Sequence, residues 1–254
     1  MAKPTRYTTE MIDYYTEQGW WDERTLSDLL DRNAELYPDK EAFVVYNIEE
    51  RPEEVKRATF KQMKQMIDRL ALSFLEMGLK HDDAIICKLP NCLEHFAVRI
   101  AMEKAGLIHV YAAIGTGEKE ITHFIKSTNA AAAVTCRKYH KVDHYEIFDS
   151  MRSKFPQFKH IFVIGDDIPQ GAISISKMLS EPIEQRYPEG YLDKFKMSPY
   201  EVSQLMATTG TTGLPKLCET TTNNLRCLVN PGIDAFGLTK DDTGFITGFL
   251  WVGP

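Results

Sequence analysis

The sequence predicts an α/β fold: a layered, mainly parallel, Rossmann-like sheet flanked by helices. Three observations carry this. Phe60, Met63, Ile67, Leu70, Phe74 and Met77 recur at alternating three- and four-residue steps, the spacing of one apolar helix face. Short apolar runs of strand length, at 84–89 and 160–164 for example, alternate with helical patterns along the chain. Such alternation calls for crossover connections, which leave the strands parallel and the helices on the sheet faces.

The elements follow in order. The helix of 60–77 ends on Gly78, a residue that stops helices readily. A strand at 84–89, a helix at 93–104 and a strand at 107–111 come next. Ile121, Phe124 and Ile125 share one face of a helix at 118–128, and a small-residue strand occupies 131–136. A helix at 145–155 leads to the strand at 160–164. Between 165 and 199, Pro169, Gly171, Pro182, Pro188, Gly190 and Pro199 punctuate an irregular connection with one short helix around 175–179. That density of breakers marks the expected subdomain boundary. Strands at 202–207 and 217–220 follow. Asn230-Pro231-Gly232 then leaves the next helix kinked or short, because proline removes a donor and crowds the preceding turn. A last strand runs into a loop over 245–254.

Composition narrows the function classes. The chain has 254 residues, 43% hydrophobic and 26% charged, as in a soluble globular protein. Its net charge of −6, with no basic block, argues against nucleic acid as a partner. The N-terminus lacks an apolar signal core, and no apolar run approaches membrane-spanning length, so a cytoplasmic location is expected. Cys87, Cys92, Cys136, Cys218 and Cys227 fit no zinc or Cys-x-x-Cys spacing and read as reduced structural thiols. His81, His95, His109 and His123 recur every fourteen residues, but on a loop, a helix, a strand and a helix. They are not expected to converge, and no metal site is assigned.

The functional signal lies in 205–216, Leu-Met-Ala-Thr-Thr-Gly-Thr-Thr-Gly-Leu-Pro-Lys. Glycines let the backbone approach a ligand closely, and consecutive N–H groups in such a turn form an anion-holding concavity. Thr208, Thr209, Thr211 and Thr212 add hydroxyls around Gly210 and Gly213, and Lys216 adds a positive charge. This is not a Walker loop. Gly210 and Gly213 are too close together, Pro215 precedes the lysine and Leu217 follows it. The loop also joins strand to strand, where a Walker loop opens a helix.

The spelling resembles the phosphate loop of the adenylate-forming superfamily: acyl- and aryl-CoA ligases, aryl-acid AMP ligases, peptide-synthetase adenylation domains and luciferase. Upstream, Thr59-Phe60, Met77-Gly78-Leu79, the run from Asp83 through Leu89-Pro90-Asn91, Ala101 to Gly106 and Glu118 to Asn129 fit the same pattern. Phe236-Gly237-Leu238-Thr239-Lys240-Asp241-Asp242 does so downstream. Tyr14-Tyr15 and Gly19-Trp20-Trp21 are most similar to the aryl-acid branch. The resemblance implies the N-terminal part of an acyl-CoA synthetase-like fold without its C-terminal domain. It divides the chain into an N-terminal segment (1–58) packing on the second subdomain, a first α/β subdomain (59–185) and the start of a second (186–254).

The same resemblance implies ATP, Mg2+, coenzyme A and a small carboxylic acid as the reaction's components. Thr208, Thr209, Gly210, Thr211, Thr212, Gly213 and Lys216 would grip the β- and γ-phosphates. The decisive lysine of such enzymes belongs to a C-terminal domain, so no catalytic residue is assigned here. Joining a carboxylate to an α-phosphate brings two anions together, so catalysis there means neutralising charge and holding geometry. Two departures matter. Thr221-Thr222-Asn223-Asn224 stands where members have Thr-His-x-Asn. Gly248-Phe249-Leu250-Trp251-Val252 stands where aryl-acid enzymes have Pro-x-x-His-Asn, which argues against a catechol acid. Trp251 and Val252 would then form an apolar wall of the acid pocket, the alternative being that Trp251 packs in the core. Members run to roughly twice this length, so the chain reads as a fragment, a split half or a truncated product. The competing function is a non-catalytic ATP- or acyl-adenylate-binding module, or a half-enzyme needing a partner chain. An NAD-type oxidoreductase is excluded, because no Gly-x-Gly-x-x-Gly follows an early strand.

Overall fold

The structure, a computed structural model, describes residues 7–47, 51–208 and 213–245. The chain enters through α1 (Thr9–Glu17), α2 (Leu26–Leu36) and a hairpin of β1 (Glu41–Asn47) with β2 (Arg51–Thr59). It continues through α3 (Phe60–Glu76), β3 (Ala84–Lys88), α4 (Leu93–Lys104), β4 (Ile108–Tyr111), α5 (Glu118–Thr128) and β5 (Ala132–Cys136). Two short strands, β6 (Lys138–Tyr139) and β7 (Val142–Asp143), precede α6 (His144–Asp149), β8 (His160–Ile164), β9 (Ile173–Ser174) and α7 (Ile175–Ser180). The last described elements are β10 (Val202–Ala207), β11 (Leu217–Thr221) and α8 (Thr222–Phe236).

The apolar stripe that predicts α3 is its buried face: Met63, Ile67, Leu70 and Phe74 have no exposed surface. A capping box starts the helix, with Thr59 Oγ1 accepting from the Gln62 amide at 3.2 Å and Gln62 Oε1 accepting from the Thr59 amide at 2.8 Å. Gly78, at φ 82°, turns the chain out of it.

The main sheet runs β11-β10-β4-β3-β5-β8-β9, parallel except for β11, which pairs antiparallel with β10. Side chains alternate between its faces. Ile85, Cys87, Ala132 and Val134 enter one core with α3 and α4, whereas Ala84, Ile86, Ala133 and Ile161 enter the other with α5. Strand order reverses at β3, because β4 lies on one side of it and β5 on the other. Crevices at the carboxyl ends of strands beside such a reversal are where ligands of open α/β sheets bind.

β10 and β11, beyond the division at 185/186, belong to this same sheet. The N-terminal segment divides its contacts. Tyr7 and residues 20–24 meet Tyr200 and α8, as in the bond from Tyr200 Oη to Glu23 Oε1 at 2.9 Å. By contrast α2 and the β1–β2 hairpin lie against α3 and α4, with the Phe43 and Phe96 rings 4.3 Å apart. The described residues of this segment therefore pack on both halves of the chain.

Three elements differ from the sequence reading. The helix expected at 145–155 stops at Asp149, and tight three-residue turns carry Met151 into the core ahead of Pro156, which disfavours helix at Phe155. The helix after the phosphate loop is not short: α8 continues through Pro231 for 15 residues. Pro231 is exposed, so its ring points to water and the carbonyl it leaves unpaired can be hydrated. The β1–β2 hairpin is missing from the sequence reading, because residues 42–45 are all apolar and half-buried and show no apolar–polar alternation. The strand expected at 245–254 falls outside the described residues after Phe245. No described helix is long and apolar enough to cross a membrane.

Gly106 closes the turn from α4 to β4 at φ 77°. A Cβ there would lie 2.6 Å from the Phe195 carbonyl oxygen and 2.5 Å from His81 Nδ1. Gly106→Ala is expected to cost about 3 kcal/mol, combining left-handed strain with a backbone clash. Urea denaturation measures it, and a loss below about 0.5 kcal/mol, the size of an ordinary surface substitution, would contradict the geometry.

Candidate phosphate-binding site

The loop that carries the functional signal leaves the carboxyl end of β10, on the same sheet edge as the ends of β3 and β4. It returns as β11, so the strand-to-strand setting is what the structure has. The ladder ends at the pair Ala207–Leu217, and two further bonds close the neck. The Thr208 amide donates to the Lys216 carbonyl at 2.9 Å, and the Lys216 amide donates to Thr208 Oγ1 at 3.0 Å. The Thr208 hydroxyl therefore has a structural task, with its own O–H still free to donate. Thr209, Gly210, Thr211 and Thr212, the tip of the loop, lie outside the described residues, as do Trp251 and Val252. Gly213 and Lys216 sit on the exposed returning limb. A groove of about 450 Å³ runs beside this limb, between it and α5.

Behind this edge stands a buried strut that the sequence reading missed. Lys88, at the end of β3, donates from Nζ to the Ile114 carbonyl at 2.6 Å and contacts His144 Nδ1 at the start of α6. Burial pushes the Lys88 ammonium down to about 8. Burial, with the Lys88 charge behind it, pushes His144 down to about 4. A neutral imidazole accepting from the ammonium fits both directions. The strut ties the segment after β4 to the frame. A lysine ending an apolar strand was the one available signal for it.

The residues that depart from the resembled pattern at the start of α8 have structural partners. Thr222 donates to Glu103 Oε2 at 2.6 Å. Asn223 clasps the backbone of Asp22, accepting from its amide at 3.1 Å and donating to its carbonyl at 3.1 Å. Arg226 grips the Asp22 carboxylate with Nη2 at 2.6 Å from Oδ2. Burial alone would raise that carboxyl, but the Arg226 and Arg24 hydrogen bonds outweigh it and hold Asp22 well below the usual carboxylate range. These contacts orient α8 from the N-terminal segment.

Two of the four evenly spaced histidines do converge, against the expectation from sequence. His95 on α4 and His109 on β4 lie with ring centroids 5.9 Å apart, and both stack on Tyr111. The parallel crossover brings α4 back over β4, a placement that even spacing alone does not encode. Burial pushes His95 down to about 4 and His109 well below its usual value, the Arg99 charge adding to the latter. That same charge opposes a cation between the rings.

The described part of the site is thus a loop neck closed between Thr208 and Lys216, with an exposed lysine, at the carboxyl edge of a mainly parallel sheet. The sequence of this loop is the one that resembles the phosphate loop of adenylate-forming enzymes. The AMP-binding enzyme family model matches residues 30–248, well over half of the chain, and the protein belongs to that family. Among curated relatives, the chain is 28% identical over 213 residues to a 2,3-dihydroxybenzoate-AMP ligase of Bacillus subtilis (strain 168), covering 84% of this chain and 36% of that protein. It is 26% identical over 230 residues to a 2-hydroxy-7-methoxy-5-methyl-1-naphthoate–CoA ligase of Streptomyces carzinostaticus, covering 89% and 40%. The apo structure of Mycobacterium smegmatis MbtA shares the fold, with a TM-score of 0.77 at 23% identity over 94% of this chain and 41% of that one. The chain therefore spans about 40% of the length of these three proteins.

Proposed function

We propose that this chain forms the polyphosphate-gripping part of an ATP-dependent, AMP-forming carboxylic acid ligase. The whole reaction would convert acid and ATP to acyl-adenylate and pyrophosphate, then pass the acyl group to a thiol, coenzyme A or a carrier. Family membership supports the adenylating class. The observation that carries the polyphosphate role is the closed neck between Thr208 and Lys216, which sets an exposed lysine at the carboxyl edge of the sheet. The relatives' names favour an aryl acid as substrate. The missing polar residue at 248–252 favours one without a catechol.

Thr208, Thr209, Thr211 and Thr212 would donate hydroxyls and the backbone at Gly210 and Gly213 would donate N–H groups to the phosphate oxygens. Lys216 would neutralise charge there. The described part of the loop offers hydroxyl, amide and ammonium groups, so Mg2+ would enter on the ATP phosphates as part of the substrate. The division at 185/186 and a cytoplasmic location belong to the same proposal.

ATP binding, together with ATP–pyrophosphate exchange over a panel of aryl, alicyclic and fatty acids, tests this reading. Binding without exchange by this chain alone is the expected result. Exchange by the chain alone would contradict the assignment of the decisive lysine elsewhere, and no binding would sink the phosphate reading. The second reading, an ATP- or acyl-adenylate-binding module that serves no catalysis, is favoured if exchange stays absent when the remaining part of a relative is supplied. Lys216→Ala is expected to weaken ATP binding about tenfold, the worth of one charge-assisted contact, with the melting temperature unchanged because Lys216 is exposed.

A further inference from the structure

The returning limb of the phosphate loop is held from outside the loop by a histidine on α5. His123 Nε2 lies 3.0 Å from the Pro215 carbonyl oxygen, and Ser127 Oγ lies 3.3 Å from His123 Nδ1. A carbonyl only accepts, so Nε2 carries the proton, and in the neutral ring Nδ1 accepts from the serine hydroxyl one helical turn away. α5 is itself firm, since Ile121, Phe124 and Ile125 are buried in the core beneath it.

The peptide that His123 holds is the one that matters for the lysine. The Pro215 carbonyl and the Lys216 amide belong to a single planar unit. Thr208 Oγ1 accepts from the amide side of that unit while His123 donates to its carbonyl side. Both ends of the plane are gripped, which fixes the direction in which the Lys216 side chain leaves the backbone. The groove lies alongside, lined by His123, Ser127, Leu214, Pro215 and Lys216, so packing on that side is open.

We propose that His123, oriented by Ser127, is a positioning residue that sets Lys216 for the polyphosphate. This rests on the phosphate reading of the loop. A donor near the former Nε2 should be enough, so glutamine can stand in for histidine and phenylalanine cannot.

The test compares His123→Phe and His123→Gln in this chain by calorimetric titration with ATP in the presence of Mg2+, alongside hydrogen exchange at the Lys216 amide. The phenylalanine variant should bind ATP about tenfold more weakly, the worth of one lost hydrogen bond that preorganises a charge. The glutamine variant should recover most of that affinity, and both should melt near the wild-type temperature. The Lys216 amide should exchange faster in the phenylalanine variant than in the glutamine one. Wild-type ATP affinity and wild-type exchange in His123→Phe would overturn the proposal. If the wild type binds no ATP, the phosphate reading fails. The amide exchange then still decides whether His123 holds the peptide, and equal exchange in the two variants overturns that claim.

Discussion

Glu103→Ala is expected to remove about 4 kcal/mol of stability, the scale for stripping one partner from a buried ion pair. Glu103 is fully buried on α4 and serves three elements. It accepts from the Ser27 amide at 3.1 Å and from the Thr222 hydroxyl at 2.6 Å, and it lies 3.8 Å from Arg99 Nη1. Without the carboxylate, the Arg99 guanidinium keeps its burial and its bond to Ser203 Oγ at 3.0 Å but loses its counter-charge. The start of α2 and the start of α8 lose their shared acceptor in the same step. Glu103→Gln, which retains an acceptor but no charge, should fall between the wild type and alanine. Urea unfolding of the three proteins is the measurement. A loss below about 1 kcal/mol for alanine, as for an exposed pair, would show that Arg99 finds another partner.

Acidification should produce the second large effect, between pH 6.5 and about 4. His95, His109 and His144 are buried, and burial lowers all three, His95 and His144 to about 4. Their unfolded value is about 6.5, so below that pH the unfolded chain takes up protons that the folded chain refuses. Stability is fully present above about 6.5 and falls as pH drops toward the folded values. For His95 alone the loss is on the order of 3 kcal/mol, from the separation between the two values. Carboxylates held low, such as Asp22 and Asp28, lose their stabilisation only below the ordinary carboxylate value of about 4, so the upper window belongs to the histidines. Urea midpoints at pH 7.5, 5.5 and 4.5 should decline across that window. His109→Gln should flatten the decline, and an unchanged slope in that variant would remove His109 from the account.

The α3 stripe, every strand of the main sheet except the two-residue β9, and the strand-to-strand setting of the loop at 205–216 were legible because each is encoded locally. A helix stripe repeats every turn, a buried strand is a short apolar run, and a strand–loop–strand unit is spelled out in consecutive residues. Where local reading failed, the missing information lay across the chain. The α6 region kept its buried Tyr145, Phe148 and Met151 but reached them through turns, and periodicity alone cannot separate those from a helix. α8 passes through Pro231 because that face is solvent-exposed, which the sequence of the helix does not state. The polar contacts that brace the site are further from sequence still. Glu103 meets Ser27 across 76 residues and Thr222 across 119, and His123 meets Pro215 across 92.

By itself the sequence determined the fold class and the order of most elements and pointed to the loop at 205–216, since these rest on spacing within a few residues. Only the tertiary structure decided what holds that loop and its sheet in place. The neck at Thr208 and Lys216 closes a local hairpin, whereas the His123 grip on Pro215, the Lys88–His144 strut and the Glu103 junction join segments distant along the chain. Their partners are chosen by which crossovers bring α4 and α5 onto opposite faces of one sheet, and that geometry exists only once the chain has folded.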